Sequence, residues 1–212
     1  MRNFLVIFLL SCGNISYALA DPEPILNEEY VVINDVGSTT SDQNFVLEFF
    51  SYACVHCYHF EPELQSWLEV TSSDMVFRRV PAIFSDKMIP LAKLYYTLED
   101  MGKLQDFHEK IFKLIHVDKK RIYTKKLIMD WASNEPGIDY DVFVKVFNSF
   151  SVGRKVSEAK RITRKYRIPG TPYITIGGKY LTGPSMISER DSKKNRGERL
   201  FIVIENLIEK AG

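Results

Sequence analysis

Cysteine is scarce in this 212-residue chain: Cys12, Cys54 and Cys57 are all there are. So few thiols exclude a small scaffold stapled by several bridges. An excess of charge is also missing. The 28 Lys and Arg nearly cancel the 27 Asp and Glu, leaving a net charge of +1, so no overall field gathers nucleic acid or anionic lipid. Beyond the N-terminus no apolar run is long enough to span a bilayer, and no internal repeat is visible. What remains is 45% hydrophobic and 13% aromatic, the make-up of an ordinary packed core. The length fits one domain, or one domain with a large insertion.

Residues 1–20 stand apart. Arg2 gives a positive start, Phe4 to Leu10 an apolar stretch, and Ala18-Leu19-Ala20 a small-x-small cleavage site. Together these read as a secretory signal peptide. Leu9-Leu10-Ser11-Cys12 also loosely resembles a lipoprotein box, which would leave Cys12 acylated and the protein tethered to a membrane. If cleavage follows Ala20, Cys54 and Cys57 are the only thiols left. An exported protein meets oxidising conditions, and this one would carry a single, closely spaced pair.

Residues 21–29 are acidic and contain proline, which suggests an extended arm. Tyr30 to Ile33 is β-rich and reads as an edge strand, and Gly37 to Asn44 as a polar loop. Phe45 to Phe50 is a nearly continuous apolar run, as expected of a central strand covered on both faces. Tyr58 to Val70 has Phe60, Leu64, Trp67 and Leu68 at helical spacing, with Pro62 expected to bend or interrupt the helix. Met75 to Val80 is the next strand. Five helical stripes then follow between Asp86 and Arg167. Tyr173 to Ile176 is a strand, Gly177-Gly178 a two-residue hairpin turn, and Lys179 to Thr182 its return. A charged loop at 188–199 precedes an amphipathic helix through Leu200, Ile204 and Leu207. The order is strand, strand, helix, strand, helical block, strand, hairpin strand, helix. It predicts an α/β thioredoxin-like fold with an inserted all-helical domain. The boundaries are a signal peptide at 1–20, a first part at 21–86, the insertion at 87–168 and a second part at 169–212.

The chemistry concentrates in Cys54-Val55-His56-Cys57. A strand that delivers Cys-x-x-Cys to the first turn of a helix is a redox device. The unpaired N–H groups of that turn favour an anion, and the nucleophile of thiol exchange is a thiolate. Cys54, at the helix start, is the expected nucleophile. Cys57, one turn further in and more buried, is the resolving thiol. His56 can lend a hydrogen bond or positive charge to the Cys54 sulfur. A structural bridge would add only about 2 kcal/mol for so short a ring. A zinc site needs about four ligands, and the histidines on offer are His56, His59, His108 and His116. The last three, like the basic run from Arg154 to Arg167, read as surface or helix residues without catalytic duty. Glu48 is the one charge in a buried-looking strand. It needs a partner or a proton, and Arg78 or Arg79 on the neighbouring strand is the candidate.

Val46-Leu47-Glu48-Phe49-Phe50-Ser51, then Cys54-x-His56-Cys57-Tyr58 and Phe60-Glu61, closely resembles the active-site segment of DsbA-type thiol:disulfide oxidoreductases. The resemblance is also strong at 168–181. It implies a proton relay from Glu48 to Cys57. It also implies a cis Thr171–Pro172 bond beside the cysteines, with Thr171 pairing with an extended substrate peptide. Val55 departs from the family's usual proline, a change that bears on oxidising strength. The implied function is a periplasmic oxidoreductase, a monomer that donates its Cys54–Cys57 disulfide to unfolded exported proteins. A DsbB-like, quinone-linked membrane protein would reoxidise it. No metal, other cofactor or nucleic acid is expected. Tyr52, Tyr58 and Pro172 are expected to flank a shallow apolar docking groove. The alternatives are a reductase or isomerase of the same fold, or a Cys/His metal-delivery module.

Overall fold

A computed structural model describes residues 22–33, 45–71, 75–188 and 196–211. The expected signal peptide with Cys12, the loop at 37–44 and most of the charged loop at 188–199 lie outside the described residues.

Among the described residues, five strands form one mixed sheet. They are β1 (Val31–Val32), β2 (Phe45–Phe50), β3 (Val76–Pro81), β4 (Tyr173–Ile176) and β5 (Tyr180–Thr182), in the order β1-β5-β4-β2-β3. β2 lies between parallel β3 and antiparallel β4. Val46, Phe49 and Phe50 have no exposed surface, the burial expected of a strand covered on both faces. The register sets Glu48 opposite Arg79. Arg78 instead places its guanidinium 4.8 Å from the centre of the Phe45 ring.

The turn between β4 and β5 differs from expectation. Ile176 pairs with Tyr180, so the loop has three residues, Gly177, Gly178 and Lys179. Lys179 donates its N–H to the Ile176 carbonyl and belongs to the turn, not the strand. Both glycines have positive φ, 56° and 65°, which side chains with a Cβ adopt at a cost.

The helices are α1 (Val55–Val70), α2 (Ile89–Asp100), α3 (Leu104–His116), α4 (Lys125–Ala132), α5 (Tyr140–Phe147), α6 (Phe150–Lys165) and α7 (Arg196–Ala211). α1 runs through Pro62 without interruption. Proline there removes only one intrahelical donor, that for the Tyr58 carbonyl, and the packing of Phe60, Leu64 and Trp67 holds both halves in place. α2 ends at Gly102, φ 66°. Gly102 N–H bonds the Glu99 carbonyl and Lys103 N–H that of Leu98, a Schellman closure.

α2 to α6 fall between β3 and β4. Their apolar stripes do not close on themselves. One continuous core joins Phe49, Phe50 and Val80 of the sheet to Leu94, Ile111, Phe112, Phe143 and Val156 of the helices. The opposite face packs Val46, Ile174 and Ile176 against α7 and the later turns of α1. The N-terminal arm is not simply extended. It turns at 27–29, and buried Glu29 takes two hydrogen bonds, 2.6 and 2.7 Å, from Arg199 of α7. No helix among the described residues is long and apolar enough to cross a membrane.

Candidate active site

β2 ends at Phe50 and the chain makes one tight turn before α1. Cys54 N–H bonds the Ser51 carbonyl, and Ala53 N–H the Ser51 hydroxyl. This turn sets Cys54 as the N-cap of α1, with extended backbone (φ −89°, ψ 116°). The sulfur therefore faces the open N–H groups of the first helical turn. Cys57, one turn along, is buried. Both thiols are free.

The Thr171–Pro172 bond is cis, and the loop that carries it meets the cysteines. As a thiol, Cys54 Sγ donates to the Thr171 carbonyl at 3.2 Å. As a thiolate it is surrounded by donors. The Cys57 thiol contributes most; the Thr171 side chain and the backbone N–H groups of Cys57 and His56 add to it. Partial burial opposes them, and the balance brings Cys54 down to about 5. Cys57 moves the other way. Burial, its bond to Cys54 and the nearby charges of Cys54 and Glu48 push it far above the ordinary thiol range. One sulfur is thus held as an anion and the other as a proton carrier.

Beneath Cys57 lies a chain of buried polar groups. Arg79 Nε is 3.0 Å from Glu48 Oε2, but its N–H is not aimed along that line, so the ions touch without a hydrogen bond. Burial, only partly offset by Arg79, raises Glu48 to about 7. Arg79 also donates to Glu61 Oε1 at 2.8 Å. Burial works against the charge of Glu61, yet His108, Arg79 and Gln65 hold its pKa below the ordinary value. His108 Nε2 faces Glu61 Oε2 at 3.4 Å, and its Nδ1 is 2.8 Å from the Tyr52 hydroxyl. Burial holds His108 below its ordinary pKa. A neutral ring with its proton on Nε2 accepts from Tyr52 at Nδ1, and its Nε2–H lies beside Glu61 without a hydrogen bond.

Sequence comparison matches residues 45–192 to the DSBA-like thioredoxin domain family. The thiol:disulfide interchange protein DsbA of Bordetella pertussis is 40% identical over 158 residues, 74% of this chain and 75% of that protein. The DsbA of Burkholderia cepacia is 33% identical over 189 residues, 87% and 89% of the two chains. The crystal structure of Pseudomonas aeruginosa DsbA superposes with a TM-score of 0.77 at 29% identity, covering 88% of this chain and 94% of that one. The chain belongs to the DsbA family. Its fold is the thioredoxin-like fold of that family, and its activity class is thiol:disulfide oxidoreductase.

Against the DsbA pattern, each expected residue can now be placed. Cys54, Cys57, Thr171 and Pro172 come together at the mouth of α1, and Glu48 sits below them. Val55 is the first residue of α1, with its side chain half-exposed. His56 is exposed; its backbone N–H faces the sulfur, whereas no hydrogen bond joins its imidazole to Cys54. The expected apolar groove needs correcting, because Tyr52 is buried and cannot flank it. A groove of about 810 Å³ with a mixed polar and apolar lining runs between α1 and α3, with Tyr58, Phe112, Glu61, Arg79 and His108 among its walls. Two of the histidines are helix residues of α3, as expected, but with partners that the sequence does not indicate. His108 is buried in the polar chain, and His116 Nε2 lies 2.8 Å from the Tyr52 carbonyl. His59 is exposed as expected. Sequence reasoning missed Glu61 as well. The available signal was an acid on the same helical face as Leu64 and Trp67, three and six residues on. Among the described residues, no group of three or more His, Cys, Asp or Glu side chains is placed to hold a metal.

Proposed function

We propose that this member of the DsbA family is an oxidant that passes its Cys54–Cys57 disulfide to cysteine pairs of unfolded exported proteins in the periplasm. A substrate thiolate attacks Cys54 Sγ, and the bond to Cys57 breaks with its electron pair left on Cys57. Cys57 then takes a proton, for which Glu48 is the donor. A second substrate thiolate attacks the substrate sulfur of the mixed disulfide, and Cys54 leaves as a thiolate. Two electrons pass from the substrate pair to the enzyme pair, and the substrate gains a disulfide.

The observation that carries this reading is the set of donors converging on Cys54 while Cys57 is denied its charge. Stabilising the Cys54 thiolate stabilises the reduced enzyme, and that makes its disulfide oxidising. Thr171 and Pro172 are the place for an extended substrate segment, with Thr171 backbone groups as its partners. The reduced enzyme returns to the disulfide through a DsbB-like, quinone-linked membrane protein. The enzyme works as a monomer, with the signal peptide at 1–20 removed.

A glutathione redox titration, read by the mass shift of alkylated thiols, tests the direction. An oxidant should show a potential less negative than about −200 mV. A value near that of thioredoxin, about −270 mV, would make the protein a reductase.

A further inference from the structure

Two residues that flank the redox motif, Tyr52 and Tyr58, are held from outside it, and the histidines that hold them lie on α3. Tyr52 sits two residues before Cys54. Its ring is enclosed by Phe50, Tyr95 and Phe112, with centroid distances of 5.2, 6.4 and 5.1 Å. Its hydroxyl meets His108, and its main-chain carbonyl meets His116 Nε2 at 2.8 Å. A carbonyl only accepts, so His116 carries its proton on Nε2 and donates it there. On the other side of the motif, Tyr58 directly follows Cys57. Its ring stacks on His116, with centroids 5.3 Å apart and planes at 14°. One imidazole therefore grips the turn that leads into Cys54 and the helix that leads away from Cys57.

We propose that His116 is a positioning residue for the redox pair, a brace from the inserted helices that keeps the donors around Cys54 in place when the disulfide is open. In the oxidised enzyme the covalent bond between Cys54 and Cys57 fixes the first turn of α1 by itself. In the reduced enzyme that restraint is gone. The thiolate then depends on donors that belong to this turn, the Cys57 thiol and the N–H groups of His56 and Cys57. Hydrogen-bond strength falls steeply with misalignment, so a loosened turn weakens the thiolate and leaves the disulfide little changed. The brace thus favours the reduced state and makes the enzyme more oxidising. His108, which holds the phenol end of Tyr52, supports the same turn from one side only. The inference rests on the reading of Cys54 as the stabilised thiolate.

The test compares wild type, His116→Ala and His116→Gln. Gln can place an amide N–H where Nε2–H stands. Two quantities are measured, the equilibrium constant with glutathione and the acid titration of Cys54 by thiolate absorbance. For H116A, both the oxidising equilibrium constant and the Cys54 ionisation constant should fall by about three- to tenfold, the weight of one ordinary hydrogen bond. In potential this is about 15–30 mV more negative. H116Q should stay within about twofold of wild type, since it keeps the bond. A histidine that only supports the fold would lower the melting temperature of both redox forms and move neither constant. Unchanged constants in H116A, beside an acid wild-type Cys54, overturn this inference alone. An ordinary wild-type titration of Cys54 overturns it together with the functional reading. If H116A does not fold, Tyr58→Leu removes the stacking partner only. It should shift both constants in the same direction by a smaller factor, and no shift would count against the brace.

Discussion

Cys54 and Cys57 are the same residue type one helical turn apart, yet their surroundings drive them in opposite directions. Cys54 stands at the open end of α1, where donors converge and water can reach the sulfur. Cys57 is buried with the Glu48 carboxylate nearby, and Glu48 is the first group of a buried floor that continues through Arg79, Glu61 and His108. The difference teaches that the motif alone does not make an oxidant. The helix mouth supplies the stabilised anion, and burial, with Cys54 and Glu48 beside it, keeps the second sulfur protonated until exchange needs it. Weakening either half should leave a different enzyme.

The most drastic way to break the contrast is to remove one sulfur at a time. Cys54→Ser should reduce oxidation of a dithiol peptide to the uncatalysed level, because the attacked atom is gone. Cys57→Ser should leave a reactive Cys54 that accumulates as a mixed disulfide in the presence of an oxidised substrate, visible by mass spectrometry. If the serine variants exchanged these behaviours, the assigned roles would be reversed.

Arg79→Leu attacks the floor. It strands two buried carboxylates, and losing one member of such a network costs about 3–5 kcal/mol. Urea unfolding measures it, and a cost below about 1 kcal/mol, the size of an exposed pair, would mean the floor is well hydrated. Glu48→Gln is gentler and is read as a slope. Burial raises Glu48 to about 7 from an ordinary 4.5. Between those values the folded state binds more protons than the unfolded, so this group's contribution is complete below about pH 4.5 and lost as pH rises through about 7. Unfolding free energy measured from pH 4 to 8 should lose that downward component in E48Q. An identical slope in both proteins would contradict the raised carboxyl.

The smallest change sharpens the helix mouth. Cys54 already has the extended backbone favoured before proline, and Val55 occupies a first helical position with a half-exposed side chain. Val55→Pro should therefore be accepted and stabilise both redox forms by about 0.4–1 kcal/mol through the unfolded chain. Destabilisation in a thermal melt would show that the first turn of α1 is strained.

Much of this was legible in the sequence because it depends on local pattern. The apolar run before Cys54 and the stripe after it marked β2 and α1, and the five helical stripes marked the insertion. Glu48 stood out as a lone charge between apolar neighbours. What stayed hidden depends on distant packing. His108 and His116 lie on an amphipathic helix, and nothing local says that this face closes over Tyr52. Tyr52 reads as one wall of a docking groove until Phe50, Tyr95 and Phe112 surround it. Pro62 reads as a break because its cost is local and the packing that offsets it is not. The third residue of the β4–β5 turn depends on register, which a Gly-Gly pair leaves open by one residue.

The central claim is tested most directly by titrating the reduced wild-type protein and following thiolate absorbance from pH 3 to 10. Cys54 is depressed to about 5 from an ordinary 9.0, so the stability it adds to the reduced form is complete above about pH 9 and lost as pH falls through about 5. The account predicts one thiolate appearing with a midpoint near 5, assigned to Cys54 by its absence in C54S, and no second thiolate below pH 10. A first midpoint at the ordinary thiol value, or one that survives in C54S and vanishes in C57S, would contradict it.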